Sequence, residues 1–527
     1  MSSPIGLAVT PFRSGSLANS TPESKRKISP AAETSSSKRV LVLTTPSTQP
    51  SNVSPGATFS TKPLFAPKQL FPGGEAKIAQ QYTHSHPPPV PWRQDKDKDA
   101  IWHNKHVLLP YNLRDPKVNI HSKEMQTLLC GIFPGTFNVA QGRFHLIFQV
   151  NTLPSPPWPL TVGGMPFTLV AENGPSGRAL IFPRLMYGNR AISICSEDHY
   201  TNAVVFSDAL LRRLAADVNA YFLKDAPPGV RLLELMYTCE CTFYIVLDDH
   251  VDIPATRVKL PGRIANWVVG YIHNHDLGRP SWADIPAKRE VQPLPLAGVI
   301  DNTAYDILRP GVLIRSKMLR DHAHPGVFST TSGVLVQNAK GDRFMTAASH
   351  GIGEGETVWQ ADRPDRAIGE AVVEISFTDV SLLKLKDDVE FVNETFETDA
   401  GVVPEFVRLK TSTEQLPLIS DYYLNSPYTG NLYATLVARS ARLFETSPYL
   451  TERQLEYIVY DWCYSGQEEG NEGKFQPPDG TCGSVIWNDE GVITGFYHYC
   501  IQDGAWAGFS ASVSASAVVD AGYSLAK

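Results

Sequence analysis

Ser332-Gly333-Val334-Leu335-Val336-Gln337-Asn338-Ala339-Lys340-Gly341-Asp342-Arg343-Phe344-Met345-Thr346-Ala347-Ala348-Ser349-His350 holds two apolar runs divided by a polar pentapeptide. Asn, Gly and Asp at the divide supply the backbone freedom and local hydrogen bonding that a tight hairpin needs. The stretch therefore predicts two antiparallel strands that end at Ser349-His350-Gly351. The same style continues through Glu356–Trp359, Ile368–Ile375, Val380–Leu385, Ala434–Ala438, Leu455–Trp462, Ser484–Trp487 and Val492–Tyr499. Many short antiparallel strands separated by turn residues predict a sandwich or closed barrels for residues 309–527.

Upstream the pattern changes. Phe144–Val150 reads as a strand and Val230–Leu247 as a β-rich run. Between them Leu210, Leu214, Val218 and Phe222 recur every four residues, widened by Leu211, Ala215 and Tyr221. This predicts a helix over Ser207–Leu223, capped by Ser207 or Asp208 and ended by Pro227-Pro228-Gly229. Ile264, Trp267, Val268 and Tyr271 suggest a second helix. Residues 100–308 thus read as an α+β domain, and the whole chain as α+β with an all-β C-terminal part. Residues 1–99 are rich in Ser, Thr and Pro. They hold too few periodic apolar positions to offset chain entropy, so the tail is expected to be disordered.

The 527 residues leave room for two or three domains, and 42% hydrophobic with 19% charged residues is an ordinary globular balance. The net charge of −7 hides an asymmetry: residues 1–99 hold 12 Lys/Arg against 6 Asp/Glu, leaving −13 for the remainder. An acidic remainder and a sparsely basic tail argue against nucleic acid as a partner. Lys25-Arg26-Lys27 and Lys38-Arg39, with a short spacer, have the pattern of a bipartite nuclear-import signal. Seven cysteines, an odd and sparse set, favour free thiols in a reducing compartment, and no apolar run approaches a membrane span. The expectation is an intracellular protein, cytoplasmic and through its basic pattern nuclear, with no membrane association.

Three positions in the C-terminal part carry chemistry. His350 follows a strand and precedes glycine. Asp379 opens the alternating strand Asp379–Leu385. Cys482 sits in Gly480-Thr481-Cys482-Gly483-Ser484, where flanking glycines permit tight backbone conformations. A base, an acid and a nucleophile suit acyl transfer: the acid orients the imidazole, the imidazole withdraws the thiol proton, and the thiolate attacks a carbonyl. The amides of Gly480 and Cys482 are the candidate oxyanion hole. Each residue also has a plainer reading, as a turn histidine, a strand-opening cap and a small buried thiol. Elsewhere, Cys239-Glu240-Cys241 reads as two packed thiols on one strand face. His273-Asn274-His275 lacks a second cluster at zinc spacing, so no metal is expected.

These residues resemble a known family. Thr346-Ala347-Ala348-Ser349-His350 resembles the Thr-Ala-Ala-His motif of trypsin-like peptidases, and Asp379-Val380-Ser381-Leu382-Leu383-Lys384-Leu385 resembles their Asp-Ile-Ala-Leu-Leu-Lys-Leu strand. Gly480–Ser484 is similar to the nucleophile turn of the chymotrypsin-like cysteine peptidases of picornaviruses and potyviruses. The resemblance covers roughly the last 215 residues, about one such two-barrel unit. It implies a C-terminal double antiparallel barrel, with His350 and Asp379 on the first barrel, Cys482 on the second and the cleft between them. The sequence departs from the family at Ser349, which places His350 one residue late, and at Thr481, where secreted members carry Asp. In the viral relatives a histidine two residues after a glycine reads glutamine or glutamate. Here His498 lies three after Gly495, on the opposite strand face unless a bulge intervenes, and Tyr497 is the other candidate for that pocket.

The function these observations imply is a cysteine-type endopeptidase with a polypeptide substrate and no cofactor. The alternative is a catalytically inactive peptidase-fold protein acting as a binding or scaffold module. Protein partners would engage the middle domain or the tail.

Overall fold

The computed structural model describes residues 102–279, 300–317, 327–445, 455–465 and 477–527, with short gaps inside the first, third and last of these spans. The expected disordered tail over residues 1–99, its basic clusters and the acidic loop Gln467–Gly473 lie outside the described residues. Among the described residues, no helix is long and apolar enough to cross a membrane. The described residues are mostly β.

The first described residues form a small α+β unit. Helix α1 (Lys123–Cys130) is capped by Ser122 and packs on a four-stranded sheet. Its strands are β1 (Thr136–Gln141), β2 (Leu146–Val150), β3 (Phe167–Ala171) and β4 (Ser176–Arg178), in that order across the sheet. Phe133, Phe148 and Phe167 meet at ring centroid distances of 4.9–5.7 Å and anchor the unit's own core. Buried His106 ties this unit to the rest, with Nδ1 2.9 Å from Thr161 Oγ1 and Nε2 3.3 Å from Asp421 Oδ1.

Strand β5 (Asn189–Ile194) and helix α2 (Asp208–Lys224) follow. As expected, α2 is capped by Ser207, whose hydroxyl accepts from Leu210 N–H, and it buries Leu211, Leu214, Val218 and Phe222. β6 (Leu232–Thr238) and β7 (Thr242–Leu247) form a hairpin whose turn is Cys239-Glu240-Cys241. The two thiols therefore do not share a strand face, and Cys241 turns the chain at φ +53°.

The expected second helix is instead a hairpin of β8 (Pro261–Ile264) and β9 (Trp267–His273), turned at Ala265 with φ +51°. β9 runs parallel to β7, and strands covered on both faces read as continuous apolar runs. Such a run offers apolar pairs at helical spacing by chance, while the β-branched and aromatic content of Trp-Val-Val-Gly-Tyr-Ile decides for a strand.

The C-terminal part builds two sheets. The first contains β10 (Leu313–Lys317), β11 (Val327–Thr331), β12 (Leu335–Asn338), β13 (Arg343–Ala348), β14 (Thr357–Gln360), β15 (Ala367–Ile375) and β16 (Val380–Leu385). The last strand of the chain, Tyr523–Leu525, pairs with β12 to make an eight-stranded antiparallel sheet. Ile314, Leu335, Met345, Val358, Ile368 and Leu383 fill its interior. The second contains β17 (Ser420–Ser426), β18 (Gly430–Glu445), β19 (Leu455–Tyr464), β20 (Val485–Trp487), β21 (Val492–Cys500) and β22 (Phe509–Ser514). They neighbour one another in the order β17-β20-β21-β22-β19-β18, and β18 pairs back to β17, so the hydrogen bonding closes on itself.

β18 is long enough to serve two partners. Up to Leu436 it pairs with β17. From Ala438 to Arg442 it pairs with β6, which joins β6, β7, β9, β8 and β5 to the same sheet. The main core accordingly joins residues from Tyr200 to Tyr523 in one cluster, beside the separate interior of the eight-stranded sheet.

A buried ion network fixes α2 to these strands. Asp208, in the first turn of α2, takes hydrogen bonds from Lys410 Nζ (3.1 Å), Ser514 Oγ (2.5 Å), Ser516 Oγ (2.6 Å) and Arg439 Nη2. Arg439 Nε donates to Asp461 Oδ1 at 2.8 Å, and Lys410 lies 3.5 Å from the same carboxylate. Burial pushes the Asp208 carboxyl up, but Lys410 and Arg439 more than offset it and hold it well below the usual carboxylate range.

Candidate active site

β13 ends at Ala348, and Ser349–Gly351 form a single 3₁₀ turn. The extra Ser349 therefore costs no strand register: in a turn it does not reverse the face on which His350 lies. Ser349 is itself held. Its N–H donates to Asp379 O at 2.9 Å, and its Oγ lies 2.8 Å from Ser381 Oγ. It is also hydrogen-bonded to Glu374, and since a carboxylate only accepts, the proton chain runs from Ser381 through Ser349 to Glu374.

Asp379 stands at the mouth of β16 in the left-handed region, φ +58°, a conformation Asp tolerates better than most residues. Its two carboxylate oxygens grip His350 twice. Oδ1 accepts the His350 backbone N–H at 2.9 Å, and Oδ2 accepts from Nδ1 at 2.5 Å. This fixes the Nδ1–H tautomer and turns Nε2 away from the acid.

His350 is also hydrogen-bonded to Cys482. Burial alone would lower its pKa, but the Asp379 carboxylate, the Cys482 charge and both hydrogen bonds raise it to about 10. Asp379 is held below the usual range: burial pushes it up, and His350 and His498 outweigh that.

Cys482 arrives from the other sheet. Its turn is stapled to β11: Thr330 Oγ1 donates to Cys482 O at 2.6 Å, Thr331 N–H to the same oxygen at 3.0 Å, and Thr331 Oγ1 to Gly480 O at 2.8 Å. Thr481 N–H and Gly483 N–H donate to Pro478 O and Tyr497 O, and the amides of Gly480 and Cys482 take part in neither bond. The thiol donates to His498 O at 2.9 Å.

Gly483, at φ +84°, has no room for a side chain: a Cβ would sit 2.6 Å from Thr331 O and 2.8 Å from Ala348 N. Both obstacles are backbone and cannot rotate aside. Gly483→Ala is therefore expected to separate Cys482 from His350, lowering both the melting temperature and the alkylation rate of Cys482 in a mass-spectrometric time course.

His498 joins the group for a reason only partly visible in the sequence. The β21–β22 register shifts between Tyr497 and Tyr499, so His498 is the bulged residue. Its Nε2 comes within 3.4 Å of Asp379 Oδ2, and its ring stacks on His350 with centroids 5.8 Å apart. Burial, with the positive charge of His350 and Arg279, outweighs Asp379 and lowers its pKa to about 4, so it is neutral at pH 7. Tyr497 is buried within the ring of strands and lines a cavity with Tyr422, Cys463, Ile486 and Ser510. Donor atoms of His350, Asp379 and His498 lie within 4.8 Å of one another, and His350 Nδ1 already shares its proton with Asp379.

Sequence reading missed Glu374 and the Ser349–Ser381 pair. Their only sequence signal is a polar residue at an otherwise apolar strand position. Burial first, and then the Asp379 charge, push Glu374 up to about 7, against the pull of Ser349 and His350. A carboxyl raised in this way favours the folded state at low pH, and that contribution is lost as pH rises through about 7. Glu374→Gln is expected to melt higher than the parent above pH 7, with the difference closing towards pH 4.5. Differential scanning calorimetry across this range checks it.

No family model and no curated protein matches the chain. Among solved structures, a glutamic-acid-specific serine protease described as using a histidine triad in substrate binding is similar at TM-score 0.29 and 11% identity, over 42% of this chain and 100% of its own. The Nocardiopsis protease NAPase gives 0.28 and 12%, over 42% and 100%. The Rv3671c protease of M. tuberculosis, in its active form, gives 0.24 and 14%, over 40% and 78%. Likenesses at these scores carry no weight in the functional reading, which rests on the geometry of the site.

Proposed function

We propose that the chain is a cysteine-type endopeptidase acting on polypeptides, with residues 309–527 as a chymotrypsin-like two-barrel unit. The carrying observation is that His350 is gripped by Asp379 through Nδ1 and hydrogen-bonded to Cys482, although the three residues come from separate strands and turns. In this reading the Cys482 proton passes to His350 and the thiolate attacks the scissile carbonyl carbon. The oxyanion is held by the N–H groups of Gly480 and Cys482. As the C–N bond breaks, imidazolium His350 gives its proton to the leaving amine. Water, deprotonated by His350, then hydrolyses the thioester and returns the thiol.

A His350 raised to about 10, first by the Asp379 carboxylate and then by Cys482, suits a base that holds the proton it takes from the nucleophile. Tyr497 is read as a wall of the substrate pocket. His498, expected beside that pocket, is read as a neighbour of Asp379 because of its 3.4 Å approach. The reading needs no cofactor. Cleavage of a peptide library by the parent chain and by Cys482→Ala tests it: products from the parent alone support it, and products from neither folded protein refute it.

A further inference from the structure

β7 and β9 are parallel neighbours, so their C-terminal ends emerge side by side. The first continues as Asp248-Asp249-His250 and the second as His273-Asn274-His275-Asp276, joined by Asn274 N–H donating to Leu247 O at 2.9 Å. The partner cluster that the pair of histidines lacks in the sequence is thus supplied by the neighbouring strand. From this geometry we infer a binding site for a divalent transition-metal ion of the zinc class, with His273, His275 and Asp276 as ligands and Asp249 as the residue that orients His275.

The two rings are arranged as metal ligands are. A ligating histidine donates its other ring N–H to a carboxylate or a backbone carbonyl, which fixes the tautomer and presents a lone pair to the ion. His275 Nδ1 lies 3.0 Å from Asp249 Oδ1, and His273 Nε2 lies 2.7 Å from Val251 O. Each pairing leaves the opposite nitrogen facing Asp276: His275 Nε2 is 3.5 Å from Oδ1, and His273 Nδ1 is 3.7 Å from Oδ2. Tetrahedral zinc, with bonds of about 2.0–2.2 Å, sets its ligand atoms about 3.3–3.6 Å apart.

One donor atom from each of the three residues already falls within 4.8 Å of the others. The rings lie nearly parallel with centroids 5.0 Å apart, so a closure of about an ångström completes the set. Imidazole nitrogens with one carboxylate suit zinc, cobalt or nickel rather than calcium or magnesium, which prefer oxygen ligands. Three protein ligands leave a fourth position for water or an outside group. The side chains of His275, Asp276 and Asp249 are 61%, 40% and 49% exposed, so an ion reaches them without unfolding the chain. The site is separate from Cys482 and independent of the peptidase reading.

The test is titration of the chelator-treated full chain with Co²⁺, followed by visible absorption, and displacement with Zn²⁺. One saturable equivalent is expected. It should vanish in His275→Gln and His273→Gln, and weaken by about 10- to 100-fold in Asp249→Asn. Far-UV circular dichroism of these variants should match the parent. His498→Gln should bind as the parent does. The inference is overturned by the absence of saturable binding, by binding that survives both histidine variants, or by binding lost in His498→Gln, which would put the ion at the other histidine–aspartate group.

Discussion

Cys482→Ala is expected to abolish peptide cleavage, lowering kcat/KM by about 10,000-fold or more, and His350→Ala to do nearly the same. The two effects should not add, because nucleophile and base act as one unit: with no thiolate there is nothing for the imidazole to activate. Asp379→Asn should cost less. A thiol ionises more readily than a hydroxyl and leans less on the acid for its activation. The loss at Asp379 should appear as a changed pH profile, since this carboxylate is the largest cause raising His350 to about 10. With that support gone, the imidazolium should titrate at lower pH, and the alkaline limb of the activity profile should move down with it. Iodoacetamide labelling provides a readout independent of any substrate. Cys482 should react fastest among the seven cysteines, and His350→Ala should erase its advantage. Uniform slow labelling, or cleavage retained in Cys482→Ala, would sink the assignment.

Asp208→Ala is expected to destabilise the chain by about 3–5 kcal/mol, a large share of the roughly 5–15 kcal/mol that holds a typical domain folded. Asp208 is fully buried and receives Lys410, Arg439, Ser514 and Ser516. Without it, two buried cations face one remaining carboxylate, Asp461, and two hydroxyls lose their acceptor. Desolvation, not the lost attraction, dominates the cost, so Asp208→Asn should recover part of it by keeping an acceptor oxygen for the serines. Urea unfolding with a common slope measures both variants. The network joins α2 to β18, β19 and β22 of the sheet that carries the Cys482 turn. Asp208→Ala should therefore also lower Cys482 reactivity, although Asp208 touches no part of the candidate site. A small change in midpoint, under about 1 kcal/mol, would show that the network relaxes or hydrates rather than bearing on the fold.

Local chemistry explains what the sequence made legible. The Asn338–Asp342 turn, the alternation of Val380–Leu385 and the four-residue spacing of Leu210, Leu214, Val218 and Phe222 are properties of short segments, and each became the expected hairpin, strand or helix. His350, Asp379 and Cys482 were visible because turn residues and strand mouths set them apart, and the structure brings all three together. The Ile264–Tyr271 segment was misread because it spans a hairpin turned at Ala265, whose two strands set apolar residues at helical spacing by chance.

The rest depends on residues far apart in the chain. Whether Ser349 displaces His350 was decided by a 3₁₀ turn and by the bonds of Ser349 to Ser381, Asp379 and Glu374. Whether His498 turns towards Asp379 was decided by a bulge against β22. Whether His273 and His275 have partners was decided by the parallel pairing of β9 with β7. Sequence alone determined which segments become strands and helices and which residue types stand at their ends, because those choices follow from nearest neighbours along the chain. Tertiary structure decided which of those ends meet, because register, bulges and buried charge pairing act between segments that no local pattern links.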